Sequence, residues 1–113
     1  MSDLQLFESE TPSMSYAALY LATWQQIQKD FSHFCSVPET LRAPEPNQML
    51  EDIVSMLHLL SSDSAKLNSL FYRIDLSERK KIPHSDIHAL AWMILQREAQ
   101  KVWIRAYYGS PSE

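Results

Sequence analysis

The chain contains a single glycine, Gly109, among its 113 residues. Glycine most readily takes the positive φ angles of tight hairpin turns, so a chain almost without it has few means of building a many-stranded sheet. Apolar residues recur instead every three or four positions, which is the period of an α-helix. The sequence therefore predicts an all-α fold, a single-domain, up-and-down bundle of three to four helices.

Length and composition are those of one domain, because 113 residues that are 45% hydrophobic suffice for one core. We expect residues 1–11 to form a mobile N-terminal leader, residues 12–109 the helical bundle and residues 110–113 a C-terminal tail. No apolar run approaches the roughly 20 residues of a membrane span, and the start lacks the pattern of a secretory signal. With its one cysteine, Cys35, the chain is predicted to be cytoplasmic and to bind no membrane.

Charge is distributed unevenly along the chain. Residues 1–63 hold nine acids against Lys29 and Arg42, a sum of −7, whereas residues 64–113 hold eight Lys or Arg against five acids, a sum of +3. The two halves should attract each other, within one fold or between two copies. The overall net charge of −4 argues against general binding to nucleic-acid phosphates.

The first helix is predicted to begin at Thr11-Pro12, because threonine is a good N-cap and proline suits the first helical position. It should end at Val37-Pro38, since the residue before a proline is disfavoured in the α region. Its aromatic-rich stripe should anchor the core. The stripe consists of Ala17, Tyr20, Trp24, Ile27, Phe31 and Phe34.

The proline-containing segment 36–47 is predicted to be an extended connector. Beyond it, apolar residues keep one helical register from Met49 to Ile74, which allows one helix of about 26 residues or two shorter ones. Ser61-Ser62-Asp63-Ser64 favours a kink or break, because serine and aspartate compete for backbone hydrogen bonds. Asp75 to Glu78 has the spacing of a capping box and predicts a short turn after Ile74.

The last helix is predicted to start near Pro83 or Ser85, to run about 25 residues, and to stop at Gly109, with Pro111 preventing its continuation. Unusually, it carries two apolar stripes about half a turn apart. The first consists of His88, Trp92, Leu95, Ala99, Val102 and Ala106. The second consists of Ile87, Leu90, Ile94, Arg97, Lys101, Ile104 and Tyr108.

A small bundle normally buries one stripe of each helix, so the second stripe needs a cover. The cover can be the middle segment of the same chain, a second copy, or a different protein. Arginine and tyrosine are enriched at protein interfaces, which favours an intermolecular contact. We therefore expect a non-catalytic protein–protein interaction module, a homodimer first of all. The predicted contact residues are Leu90, Ile94, Arg97, Lys101, Ile104 and Tyr108.

The alternative is a protein that binds a small ligand or a metal through His84 and His88, which are four residues apart as in helical zinc pairs. Asp30 and His33 have the spacing of half a carboxylate-bridged di-metal motif, whose second half is missing. A histidine on a helix is more often a cap, a surface group or a core residue. We therefore predict no metal and no cofactor.

A second alternative is binding of anions or nucleic acid through the basic C-terminal half, where Arg97, Lys101 and Arg105 share one stripe. The plainer interpretation is a solvated face with favourable charges near a helix C-terminus. Nucleophilic catalysis by Cys35 would need a neighbouring cation, and His33 points to another side of the helix. No catalytic residue is predicted.

Overall fold

A computed structural model describes residues 15–37, 45–76 and 86–107. These residues form four α-helices and no strand: α1 (Tyr16–Phe31), α2 (Pro46–Leu60), α3 (Ser64–Ile74) and α4 (Ile87–Tyr107). The predicted all-α, single-domain bundle is confirmed. The leader at residues 1–11 and the tail at residues 110–113 lie outside the described residues, as does Gly109.

Helix α1 is shorter at both ends than the sequence predicted. The start at Thr11-Pro12 is wrong, because Ser15 is the N-cap and its Oγ accepts a hydrogen bond from Ala18 N at 3.3 Å. The end at Val37 is also wrong. Ser32 Oγ donates to the carbonyl of Lys29 at 3.0 Å, the kind of local bond that competes with helix continuation.

The predicted break in the middle segment is confirmed between α2 and α3. Ser61 Oγ donates to the carbonyl of His58 at 2.9 Å at the end of α2, and Asp63 accepts from Lys66 N at 3.1 Å as the N-cap of α3. The connector predicted over residues 36–47 ends earlier than expected. Pro46 is already the first residue of α2, where its missing N–H costs nothing.

Asp75 ends α3 in the left-handed conformation, with φ 67° and ψ 48°. Leu76 N donates to the carbonyl of Phe71 at 2.9 Å, which completes the usual C-terminal motif of a helix. Aspartate tolerates this conformation better than most residues with a Cβ atom. Asp75 is therefore a C-cap, not the N-cap of the predicted short turn, whose residues 77–81 lie outside the described part.

Helix α4 begins after Asp86, whose carboxylate accepts from Ala89 N at 3.1 Å. It lies antiparallel to α1, since Asp30 meets Lys101 while Gln26 meets Arg105. All four helices contribute to the main core. Its buried residues are Trp24, Ile27, Phe31, Met49, Ile53, Met56, Leu57, Leu60, Leu70, Phe71, Ile74, Leu90, Ala91, Ile94 and Leu95. A smaller cluster joins Leu19, Ala99 and Val102.

Candidate functional site

The first two residues of the predicted partner contact are enclosed by the chain itself. Leu90 is 5% exposed and Ile94 is 0% exposed, and both belong to the main core. Their cover is intramolecular, because α1, α2 and α3 all pack against α4 in the main core. The expectation that these two residues need an external partner is therefore corrected.

The other predicted contact residues have different surroundings. Arg97 Nη2 lies 2.9 Å from Asp75 Oδ2, and Lys101 lies against two carboxyl groups of the bundle. Ile104 is 44% exposed, and Tyr108 lies outside the described residues. Two of the three cations in the predicted basic stripe are thus engaged in ion pairs, which weakens the case for a phosphate-binding face. Partner binding by the rest of the stripe stays a prediction.

Large exposed apolar side chains are spread over the bundle. Leu21, Leu59, Tyr72 and Ile104 lie on α1, α2, α3 and α4 respectively. Apolar residues scattered singly over a surface are normal for soluble domains. On the described part of α4, the second predicted stripe therefore does not form a continuous exposed apolar surface.

A buried polar cluster crosses the bundle from α1 to α3 and α4. Its centre is Asp30, with a side chain only 4% exposed. Asp30 accepts from Arg73 Nε at 3.1 Å, from Gln26 Nε2 at 3.1 Å and from Lys101 Nζ at 3.5 Å. Burial raises the pKa of Asp30, but hydrogen bonds with Glu98 and Gln26 and the charges of Lys101 and Arg73 outweigh it and lower the pKa below its ordinary value.

Glu98 is the least expected member of this cluster, because a glutamate is 0% exposed on the core side of α4. Burial, followed by the interaction with Asp30, raises its pKa to about 9. Neither Glu98 oxygen accepts a well-aligned hydrogen bond within the described residues, although Lys101 Nζ lies 3.2 Å from Oε1. Burial and the nearby Asp30 both favour the protonated form of Glu98, whereas the cations around Asp30 favour its charged form, so Glu98 holds the proton and Asp30 the charge.

Sequence reasoning missed this pair, although a signal was present. Glu98 stands among Leu95, Ala99 and Val102 in the helical register, so it falls inside an apolar stripe. An acid at such a position is either buried or at the rim of the stripe. Periodicity alone does not tell which, because the answer depends on whether Lys101 and Asp30 come close enough in space.

A surface groove of about 390 Å³ runs between α1 and α4. The described residues that line it are Ala22, Gln25, Gln26, Lys29, Val102, Arg105 and Ala106. Alanine and valine supply apolar surface, Lys29 and Arg105 supply positive charge, and none of these lining residues is acidic. Arg105 Nη2 donates to Gln26 Oε1 at 3.0 Å, so the guanidinium is held in place by the same glutamine that binds Asp30.

The metal-binding expectations find little support in the described residues. His84 lies outside them and His88 is exposed. Asp30 is buried in an ion pair with Arg73, whereas His33 is exposed, so the two do not form a common site. Within residues 15–37, 45–76 and 86–107, no three His, Cys, Asp or Glu side chains come together as metal ligands.

Cys35 has the surroundings of a packing residue. It is partly buried and packs against the main core. Burial raises the pKa of its thiol, although the charge of Lys66 lowers it in part. A raised pKa leaves little of the thiolate that nucleophilic catalysis requires.

No family model, curated protein or solved structure matches the chain. Among the described helices, none combines the length and the apolar character that crossing a bilayer requires.

Proposed function

We propose that this protein is a non-catalytic interaction module that binds an acidic segment of a protein in the groove between α1 and α4. The observation that carries the proposal is the composition of the groove, which combines apolar side chains with two cations and no described acid. A second copy of the chain is the first partner we expect. A cytoplasmic location agrees with this role and stays a prediction.

Of the two groove cations, Arg105 is the one whose side chain is held in a fixed orientation before a ligand binds. Its hydrogen bond to Gln26 continues through Gln26 Nε2 to the buried carboxylate of Asp30. A side chain that is already oriented loses less conformational freedom when a ligand binds. An arginine in this position can bind a carboxylate with two parallel hydrogen bonds.

The groove is suited to binding and not to catalysis. Its described lining contains only alanine, valine, glutamine, lysine and arginine side chains. None of these carries a nucleophilic hydroxyl or thiol, or an acid or imidazole that titrates near neutral pH. The buried Asp30–Glu98 pair has a perturbed proton affinity but is almost inaccessible, so we assign it a structural role.

Two other functions are alternatives to this proposal. Ligand or metal binding through His84 and His88 has no support in the described residues. Binding of a small anion or a nucleic acid would use the same Lys29 and Arg105, but the ion pairs of Arg97 and Lys101 leave little further positive charge beside them. The amide and apolar lining favours a protein segment over a bare phosphate.

We expect a fluorescently labelled peptide rich in glutamate and leucine to bind the protein at low salt, and a lysine–leucine analogue not to bind. Lys29→Gln with Arg105→Gln should weaken binding of the acidic peptide by about tenfold or more, because both cations of the groove are lost. Fluorescence anisotropy measures the affinity. Added salt should also weaken it, since the charges are at the surface.

Lys66→Gln is the matched control, because Lys66 is an exposed cation of α3 outside the groove. Its affinity for the acidic peptide should equal that of the wild type. Equal affinities in wild type and the Lys29/Arg105 double variant would remove the groove as the site. Competition by inorganic phosphate as strong as by the peptide would show a small-anion site instead.

A further inference from the structure

We propose that the groove binds the outer face of α2 from a second copy of this chain, an inference that rests on the proposed function. The outer face of α2 is defined by Gln48, Glu51, Asp52, Ser55 and Leu59. Its opposite side, with Met49, Ile53 and Leu57, is buried in the main core. The outer face is thus the side of α2 that a second copy can reach.

The groove and the outer face of α2 carry opposite charges. Residues 45–63 contain Glu45, Glu51, Asp52 and Asp63 and no lysine or arginine. Asp52 receives a hydrogen bond from Gln48 at 3.1 Å, and burial together with the neighbouring charge of Glu51 raises its pKa. Among the described residues, the side chains that act on Asp52 are Gln48 and Glu51, and neither is a cation. The negative charge of α2 is complementary to the positive charge of Lys29 and Arg105 in the groove of another molecule.

The two surfaces also match in the spacing of their residues. Leu59 is 65% exposed on α2, at the end of the face that carries Asp52. At 1.5 Å per residue, Asp52 and Leu59 are about 10 Å apart along their helix. Ala22 and Lys29 have the same separation along α1. If Leu59 of one copy lies over Ala22 and Ala106 of the other, Asp52 comes level with Lys29. Glu51 is then next to Asp52 at the same contact.

The contact joins two different surfaces of the chain, the groove and the outer face of α2. Such a pairing either closes, with each α2 in the other copy's groove, or continues into longer assemblies. Both outcomes raise the mean mass as the protein concentration rises. Since both surfaces are charged, association should weaken as salt is added.

Complementary charge reversal tests the pairing. One variant carries Lys29→Glu and Arg105→Glu, and the other carries Glu51→Lys and Asp52→Lys. Each variant alone opposes like charges across the contact, so its association should weaken by about tenfold or more. An equimolar mixture restores opposite charges between the two variants. We expect sedimentation equilibrium to show association in the mixture and none in either variant.

Melting curves establish that each variant is folded, and Lys66→Glu should associate like the wild type. A folded wild type that stays monomeric up to millimolar concentration at low salt would overturn the inference, as would a mixture that stays monomeric. A monomer that still binds the acidic peptide would leave the proposed function standing. A monomer that binds no peptide would overturn both.

Discussion

Replacing Glu98 with glutamine should raise the free energy of unfolding at pH 7 by about 3 kcal/mol. In the wild type, Glu98 must take up a proton on folding. At pH 7 this protonation costs free energy, because the carboxyl group is ionised in the unfolded chain. Glutamine has nearly the same shape and needs no proton. Its amide also donates hydrogen bonds, so it can keep the contact with Asp30.

The effect should depend on pH in a defined direction. In the folded protein the pKa of Glu98 is about 9, whereas its ordinary value is 4.5. Between those values the folded state binds more protons than the unfolded state, so rising pH favours unfolding. The advantage of Glu98→Gln should therefore be small below pH 4.5, grow towards pH 9 and then level off.

Urea denaturation at a series of pH values measures this difference. Glu51→Gln is the control, since Glu51 is an exposed acid on α2 and its removal should change stability little at any pH. Parallel pH profiles for wild type and Glu98→Gln would show that Glu98 is ionised in the fold. That result would contradict the arrangement described for the buried pair.

Replacing Asp30 with asparagine should lower the free energy of unfolding at pH 7 by about 2–3 kcal/mol. Asp30 is the charged acceptor for Arg73 and Lys101, and asparagine removes its charge while keeping its shape. The expected loss of stability is smaller than for a fully buried ion pair. The Arg73 side chain is 36% exposed, so water can solvate its charge once Asp30 is replaced. Lys101 also keeps the carboxyl group of Glu98 close to its ammonium group, which limits the loss further.

Acid should reduce the difference between Asp30→Asn and the wild type. The pKa of Asp30 lies below its ordinary value of 3.8 in the fold, so its contribution is present above that value and is lost as pH falls through the lowered pKa. Denaturation curves at neutral and acid pH provide the measurement. A loss that stayed constant into strong acid would mean that the side chain acts through its shape and not through its charge.

Asp52→Asn is the matched control for this prediction. Asp52 is also partly buried on a helix, but burial and the charge of Glu51 raise its pKa against the hydrogen bond from Gln48, and no ion pair within the described residues holds its charge. Its replacement should be neutral or slightly stabilising at pH 7. An equal loss in both variants would show that the ion pairs of Asp30 add nothing specific.

The helices themselves were largely predictable from the sequence. Apolar spacing identified all four, and Ser61 to Ser64 predicted the break between α2 and α3 because those residues cap helices well. Helix ends were less predictable where two signals competed. Thr11 and Ser15 are both good N-caps, and the sequence pattern does not say which one the helix uses.

The site was much harder to predict, because it depends on which helices meet. Two apolar stripes on α4 fit a central helix as well as a docking helix, and the burial of Ile94 decides for the central position. The groove joins Lys29 to Arg105, which are far apart in the sequence. No local pattern relates those two residues, so only the antiparallel packing of α1 on α4 brings them together.

We expect partners to bind at the α1–α4 groove and not at the Leu90–Ile94 side of α4. Amide chemical shifts of ¹⁵N-labelled protein, followed on dilution from millimolar to micromolar concentration, locate the surface that a second copy contacts. We predict changes in Ala22 to Lys29, in Val102 to Ala106 and along the outer face of α2. Changes centred on Leu90 and Ile94, with the groove unaffected, would contradict the account.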